Sequence, residues 1–244
     1  MEPRAYRHWV EDKGLTHFSV TVKETDLYIR ASHNLERKAH RLVQKCRARL
    51  EEYITRHPAF LTSLEPLPLT EDAPQIVRQM LAAAEAAGVG PMAAVAGAVA
   101  EMVGRGLLEF SPEIIVENGG DIFLKSLSKR TIGIYAGESP LSGRLGLEIN
   151  GRETPLGICT SSGTVGHSLS FGTADAVVAV APSTALADAA ATAIGNLIKD
   201  AADIAGGIDF AKSIKELQGV AIIKGEHIGL WGEIKLCHTS ADAT

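Results

Sequence analysis

The chain is poor in aromatic residues, which make up 5 % of its 244, and it has only three cysteines, Cys46, Cys159 and Cys237. With so little ring surface, the core has to be built from Ala, Gly, Val, Ile and Leu, and an apolar content of 45 % suffices for a globular protein. An odd cysteine count without a Cys-x-x-Cys pair argues against a disulfide framework and for a reducing compartment. Positive charge is not in excess: 24 Lys and Arg against 29 Asp and Glu leave a net charge of −5, so the basic footprint usual for nucleic-acid binding is missing. Long apolar runs are absent too. Met92–Val103 and Ala174–Ala187 are short and broken or flanked by charge or Pro, whereas a bilayer span needs about 20 apolar residues. The start, Met1-Glu2-Pro3-Arg4, has no apolar signal-peptide region. These absences predict a soluble cytoplasmic protein that engages neither membrane nor nucleic acid. The length suits one large domain or two small halves.

Hydrophobic periodicity gives the organisation. His17–Arg30 alternates as two strands about a Lys-Glu-Thr-Asp turn. Leu35, Ala39, Leu42, Val43, Cys46, Leu50, Tyr53 and Ile54 recur at helical spacing, with Ser32 or Asn34 available as a cap. Residues 75–87 read as a helix ending at Gly88, and Pro91–Leu108 as a second. Ile114–Val116, Ile122–Leu124 and Thr131–Tyr135 read as strands around the turn Asn118-Gly119-Gly120. The rest follows the same plan: strands at Leu145–Ile149, Leu156–Cys159 and Ala176–Val180, a helix over Thr184–Ile204 with a short extension near Phe210–Ile214, and a closing hairpin of Gly219–Ile223 and Ile228–Leu236. Ala96–Val103 with Ile114–Leu124 can be laid beside Ala191–Ile198 with Ala221–Trp231 as a faint repeat. The expected fold is α+β, with two related antiparallel-sheet-plus-helices units spanning 1–140 and 141–244 in one compact protein.

Five segments bear on chemistry. Asp188 and Thr192 lie one turn apart on one face of an Ala-rich helix and offer the hard oxygen ligands that Mg²⁺ prefers. Asp near a helix N-terminus also complements the helix dipole without any metal. In Glu117-Asn118-Gly119-Gly120-Asp121, the two glycines suit a tight hairpin; they also leave backbone bare for a ligand, with Glu117, Asn118 and Asp121 as acceptors toward a base or ring. Gly88-Val89-Gly90-Pro91-Met92-Ala93 matches a dinucleotide fingerprint by letter, but a helix and not a strand precedes it, which excludes a Rossmann unit. Gly90 as N-cap and Pro91 at the first helical position still open a helix whose free N–H groups suit a phosphate, or simply turn a corner. Cys159–Ser168 crowds hydroxyls and glycines after a strand, including Ser161, Ser162 and Gly163, as phosphate- and sugar-binding loops do. It lacks a nucleophile elbow, and its His167 is either a general base or a structural histidine. Arg37–Arg49 places Arg37, Lys38, Arg41, Lys45, Arg47 and Arg49 on a helix as a solvated face or a stripe for an acidic partner.

Taken together, Asn118-Gly119-Gly120-Asp121-Ile122, Thr160-Ser161-Ser162-Gly163 and Val178–Pro182 running into Leu186-Ala187-Asp188-Ala189-Ala190-Ala191-Thr192 resemble the superfamily of ApbE-type flavin transferases. Those enzymes move FMN from FAD onto a Thr or Ser of a partner protein with Mg²⁺. The resemblance covers roughly residues 88–196. Gly90-Pro91-Met92-Ala93-Ala94-Val95-Ala96-Gly97 and Gly166-His167-Ser168-Leu169-Ser170-Phe171-Gly172 are more closely similar to an uncharacterised bacterial and archaeal family of that superfamily. The resemblance implies that Asp188 and Thr192 bind Mg²⁺ along with a backbone carbonyl near Gly90–Ala93. It also implies that Asn118–Asp121 lines a nucleotide pocket between two related β-α-β units. Two departures stand beside it. Ala94-Val95-Ala96-Gly97 has no counterpart of the lysine in the transferases' Ile-Ala-Lys-Gly, and the segment after His167 lacks the Asp, Pro and Arg of their His-Ile-Ile-Asp-Pro-Arg-Thr-Gly.

The expectation is therefore a protein that binds FAD or another nucleotide with Mg²⁺. Asp188 and Thr192 would hold the metal, Gly90, Pro91, Met92, Ala93, Ser161, Ser162 and Gly163 would lie at phosphates, and Glu117–Asp121 would face the ring. FMN-transferase-like or phosphoanhydride-cleaving activity would use His167 as base. Two alternatives stay open: a non-catalytic nucleotide-binding or assembly module that kept the fold, and an enzyme on a pterin or purine. A protein acceptor and a homo-oligomer, the latter through the Ala- and Gly-rich helices, remain further expectations.

Overall fold

The computed structural model describes residues 14–164 and 170–239. Strands β1 (Thr16–Val22) and β2 (Thr25–Ala31) are followed by helices α1 (Glu36–Arg56), α2 (Ala59–Thr62), α3 (Gln75–Ala87) and α4 (Val95–Leu107). Next come β3 (Ile114–Asn118), β4 (Asp121–Lys125), β5 (Arg130–Gly133), β6 (Leu145–Ile149), β7 (Leu156–Ser161) and β8 (Ala176–Ala181). Helices α5 (Thr184–Leu197) and α6 (Ile204–Ser213) and strands β9 (Gly219–Lys224), β10 (His227–Gly232) and β11 (Leu236–His238) complete the chain.

Eight strands form one antiparallel sheet in the order β1-β2-β3-β4-β7-β8-β9-β10, and β11-β6-β5 form a second, smaller one. Alternation along the large sheet sorts its side chains between two cores. Val116, Phe123, Cys159, Val177, Ala179 and Ile222 pack beneath the helices. Ile115, Leu124, Ile158, Val178, Val180 and Ile223 face the small sheet, against Ile132, Leu147 and Ile149. The molecule is thus layered as helices, large sheet, small sheet. This explains the unbroken apolar run of β8, which is buried on both faces.

The antiparallel α+β expectation holds. The strand–helices–strand plan occurs twice, as β1-β2, helices, β3-β4 and as β7-β8, helices, β9-β10, and pairing of β4 with β7 joins the two sets into one sheet. The expected boundary at 140/141 falls in the β5–β6 connection, and β5 pairs with β6 across it.

Local chemistry accounts for most element ends. Gly88 terminates α3 in the left-handed region at φ 70°, as a helix C-cap requires. Asn34 contributes its Oδ1 to the Glu36 N–H at 2.9 Å and so helps to start α1. Three elements depart from the periodicity. The helix expected over Thr184–Ile204 stops at Leu197, and what looked like a short extension near 210–214 is α6, which starts at Ile204. Between them Ile198 turns extended at ψ 110°, and the Asp203 carboxylate accepts the N–H groups of Lys199 and Asp200, so a new start outcompetes propagation. The strand expected over Ile228–Leu236 divides at Gly232, where φ is 81°, and its tail β11 crosses to the small sheet. The helix expected from Pro91 opens as a 3-10 turn, Pro91–Ala94, before α4 begins at Val95. No single described helix is long and apolar enough to cross a membrane.

Candidate functional site

The hairpin between β3 and β4 has the two-residue loop its glycines demand. Asn118 pairs with Asp121, and Gly119 and Gly120 both take positive φ, at 68° and 113°. Paired residues point to the same face, so Asn118 and Asp121 both lie beneath the helices, level with Cys159, which pairs with Asp121 on β7. Glu117 alternates to the opposite face, where its Oε1 accepts the Gly120 N–H at 3.1 Å. The Asn118 amide donates to the Ala96 carbonyl at 3.0 Å and fastens the hairpin to the opening of α4.

Helix α5 meets α4 at the same place. The Asp188 Oδ2 accepts the Gly97 N–H at 2.8 Å. A Cβ on Gly97 would come within 2.4 Å of the Thr184 carbonyl oxygen and 2.8 Å of the Asp188 Cβ, so only glycine permits this crossing. Gly157 on β7 does the same from below, where a Cβ would lie 2.3 Å from the Thr184 Cα. The N-terminus of α5 is held by Glu101 of α4, whose Oε2 accepts the Thr184 N–H at 2.7 Å while Arg105 pairs with its other oxygen. A buried carboxylate at a helix N-terminus is favoured by the helix dipole, so α4 and α5 are locked in register over β4 and β7.

This packing brings two carboxyl groups from distant parts of the chain together. Asp121 is pushed up to about 7, first by burial and then by the charge of Glu117; the Cys159 thiol and the Thr160 N–H oppose the shift. Asp188 is half-buried as a residue, but its carboxyl sits in the helix crossing. Burial and then Asp121 raise it well above the usual carboxylate range, against the N–H groups of Gly97 and Ala96. Burial, Asp121 and Asp188 together push the Cys159 thiol up, so it is a neutral packing group and not a nucleophile. Two such carboxyls cannot both be charged without a compensating proton or cation.

A pH dependence follows. Asp121 titrates higher in the folded than in the unfolded chain, so the native state holds the extra proton between roughly pH 4 and 7. The stability from that group is complete below the unfolded value and is lost as pH rises through about 7. Thermal melts should show Tm falling over this window, and Asp121→Asn should flatten the profile; an equal slope in the variant would remove Asp121 as its source.

The other anticipated residues distribute around this centre. Thr192 follows Asp188 by one turn of α5 and is half-buried. The Pro91–Ala94 turn, with Gly90 as its N-cap and Met92 and Ala93 half-buried, packs on α5. Gly90 itself serves close packing, because a Cβ there would overlap the Ser63 carbonyl. Ser161 ends β7 under Gly195 of α5. Ser162 accepts the Thr164 N–H at 3.1 Å, and the Gly163 N–H bonds to the Ala174 carbonyl at 2.9 Å, which closes the base of the loop. His167 lies outside the described residues. On α1, Arg37, Lys38, Arg41, Lys45 and Arg49 are exposed, whereas Arg47 pairs with Glu24 and Glu51. Surface concavities of about 380 and 350 Å³ open on that helix, lined by residues such as Asn34, Arg37, His40 and Arg41, far in sequence from the carboxyl pair. Among the described residues no three His, Cys, Asp or Glu side chains converge as a metal cluster.

The family model described as AbpE bacteria matches residues 7–224. The UPF0280 protein of Methanocella arvoryzae is 47 % identical over 193 residues, covering 79 % of this chain and 78 % of its own. The UPF0280 protein of Methanocaldococcus jannaschii is 42 % identical over 221 residues, covering 88 % and 90 %. Among solved structures, the flavin transferase ApbE from Vibrio cholerae aligns with a TM-score of 0.58 at 12 % identity, over 93 % of this chain and 97 % of that one. The Pseudomonas stutzeri flavinyl transferase ApbE in its apo form gives 0.58 at 14 % identity, over 93 % and 95 %. At these identities the likeness is one of fold.

Proposed function

Because this chain belongs to the AbpE bacteria family, we propose that it binds a flavin or another nucleotide together with Mg²⁺ where α4 and α5 cross over the Asn118–Asp121 hairpin. The observation that carries this reading is the meeting of Asp121 and Asp188 at the end of a glycine hairpin, both raised by burial and the second raised further by the charge of the first. A cation relieves that repulsion. The donor set suits Mg²⁺, which takes one or two carboxylates and completes its octahedron with waters and ligand phosphates. Asp188 and Thr192 would hold the ion, with Asp121 as the second charge beside them. Bound there, Mg²⁺ would neutralise a pyrophosphate.

The chain's own groups supply the remainder. Asn118 keeps the opening of α4 against the hairpin through the Ala96 carbonyl. Glu101 fixes the end of α5 that precedes Asp188. In this reading the Gly90–Ala93 turn and Ser161–Gly163 would bound the phosphates, and Gly119 and Gly120 would leave the ring side bare. His167 is the candidate base for phosphoanhydride cleavage, with transfer of the nucleotide fragment to a protein hydroxyl as the transferase-like variant of that reaction.

A second reading is a binding or assembly module without transfer chemistry. It is favoured by Ala96, whose carbonyl is engaged by Asn118 in the segment where flavin transferases carry a lysine. One experiment separates the two. FAD is titrated by fluorescence with and without Mg²⁺, and the mixture is then followed by phosphorus NMR. Mg²⁺-dependent binding supports the site, and loss of the FAD pyrophosphate signal supports chemistry. Stable FAD in the bound state favours the module, and no binding at high micromolar FAD sinks the flavin form of the proposal.

A further inference from the structure

The face of α5 that carries Asp188 and Thr192 continues to Gly195, just before the helix ends at Leu197. There the chain around Phe171 is pinned to the helix. The Phe171 N–H donates to the Asn196 Oδ1 at 2.9 Å, and the Thr173 N–H donates to the Ile198 carbonyl at 2.7 Å. A Cβ on Gly172 would sit 1.8 Å from the Gly195 carbonyl oxygen, so the segment meets α5 backbone to backbone. Gly163 closes the same loop from its other limb, where a Cβ would lie 2.1 Å from the Gly172 carbonyl oxygen.

Despite this anchoring, Phe171 is 52 % exposed. Phe110 makes a useful contrast: it is also exposed, but the Lys38 ammonium covers its ring at 3.3 Å. Among the described residues Phe171 has no aromatic or cationic partner. An aromatic side chain presented from a fixed backbone gives up burial and has little backbone entropy left to lose, which is the economy of a preorganised stacking surface. Gly195 lies seven residues beyond Asp188, or about 10 Å along the helix axis. That span is comparable with the separation of a ring from the pyrophosphate in an extended dinucleotide.

We propose that Phe171 is the stacking platform for the flat ring of a nucleotide whose pyrophosphate lies at Asp188 and Thr192. The inference rests on the Mg²⁺–nucleotide reading for its pyrophosphate end, and it adds the residue that selects a ligand bearing a large planar ring. Riboflavin, which has the ring without the pyrophosphate, and inorganic pyrophosphate with Mg²⁺, which has the reverse, test the two ends separately. Wild type, Phe171→Ala and Phe171→Tyr are titrated with each and with FAD, after circular dichroism melts confirm equal folding. Phe171→Ala should weaken FAD and riboflavin about ten-fold, in the range of aromatic–base stacking, and leave pyrophosphate unchanged; Phe171→Tyr should restore the ring ligands. Equal riboflavin and FAD affinity in Phe171→Ala and wild type would overturn the platform, as would riboflavin failing to bind wild type. Failure of pyrophosphate to bind with Mg²⁺ would instead overturn the metal reading, and the riboflavin comparison would still decide the role of Phe171.

Discussion

Asp188→Asn should abolish the Mg²⁺ dependence of nucleotide binding and weaken binding in the presence of Mg²⁺ about 100-fold. Asparagine keeps the size of the side chain and an oxygen to accept the Gly97 N–H, so the helix crossing survives. What disappears is the charge. Changes in the outer shell of a metal site alone cost about 10- to 100-fold in metal affinity, and a ligand is worth no less. The same variant has a second, independent signature. Asp188 is itself raised by burial and by Asp121, so removing its titration should make the fall of Tm with rising pH shallower. Calorimetric titration with Mg²⁺ and a pH series of melts test both statements. A variant that keeps the wild-type Mg²⁺ response excludes Asp188 as a ligand.

Gly97→Ala is the second large effect, and its sign is what makes it informative. In an ordinary helix, replacing Gly by Ala stabilises by about 1 kcal/mol. At Gly97 the new Cβ would lie 2.4 Å from a backbone carbonyl and 2.8 Å from the Asp188 Cβ, and neither neighbour is the free end of a flexible side chain. Helices α4 and α5 have to part, at about 2–3 kcal/mol for overpacking, which lowers Tm by roughly 5 °C in a domain of this size. Gly206 in α6 is the control, because nothing lies within 4 Å of a Cβ there. Gly206→Ala should stabilise by about 0.5–1 kcal/mol. Opposite shifts in differential scanning fluorimetry are expected; a stabilised Gly97→Ala would mean that the helices do not cross this closely. The variant should also lose Mg²⁺-dependent binding, because the same movement displaces Asp188.

Much of this frame was legible from residue types alone. Gly88 announced the end of α3, and Asn118-Gly119-Gly120-Asp121 announced a two-residue hairpin, because each position needs a backbone conformation that few residues adopt. The Ala-rich helix was legible as well, but its end was not. Gly195 and Asn196 are weak helix breakers, and what stops the helix is competition from the capping carboxylate of Asp203, which periodicity does not register. The split of the last strand at Gly232 was hidden in the same way, since its two pieces read as one alternating run while they belong to different sheets. Asp188 and Thr192 stood out by spacing, but the approach of Asp121 did not, because strand pairing and helix packing create it. Cys159 and Gly97 lie in segments the sequence singles out, but nothing there announces their roles. A buried thiol and one small residue among many in an Ala-Val-Gly run acquire meaning only when α5 lies across them.

Joining the two strand sets through β4 and β7 alone has a consequence during synthesis. When the ribosome has made β1 to β4, β4 is a sheet edge, with Ile122, Phe123 and Leu124 in it and no neighbour yet. Unpaired apolar edges invite pairing with other chains, and a charged residue on the edge discourages it. Asp121 stands at the start of β4, and with β7 absent its carboxylate would be solvated and ionised at neutral pH. Only when β7 zips alongside and α5 settles above does the same carboxylate leave water and gain affinity for a proton or a cation. One residue would thus guard the nascent chain's edge, and in the finished protein it stands beside Asp188 as one of the carboxyls whose proton affinity burial raises.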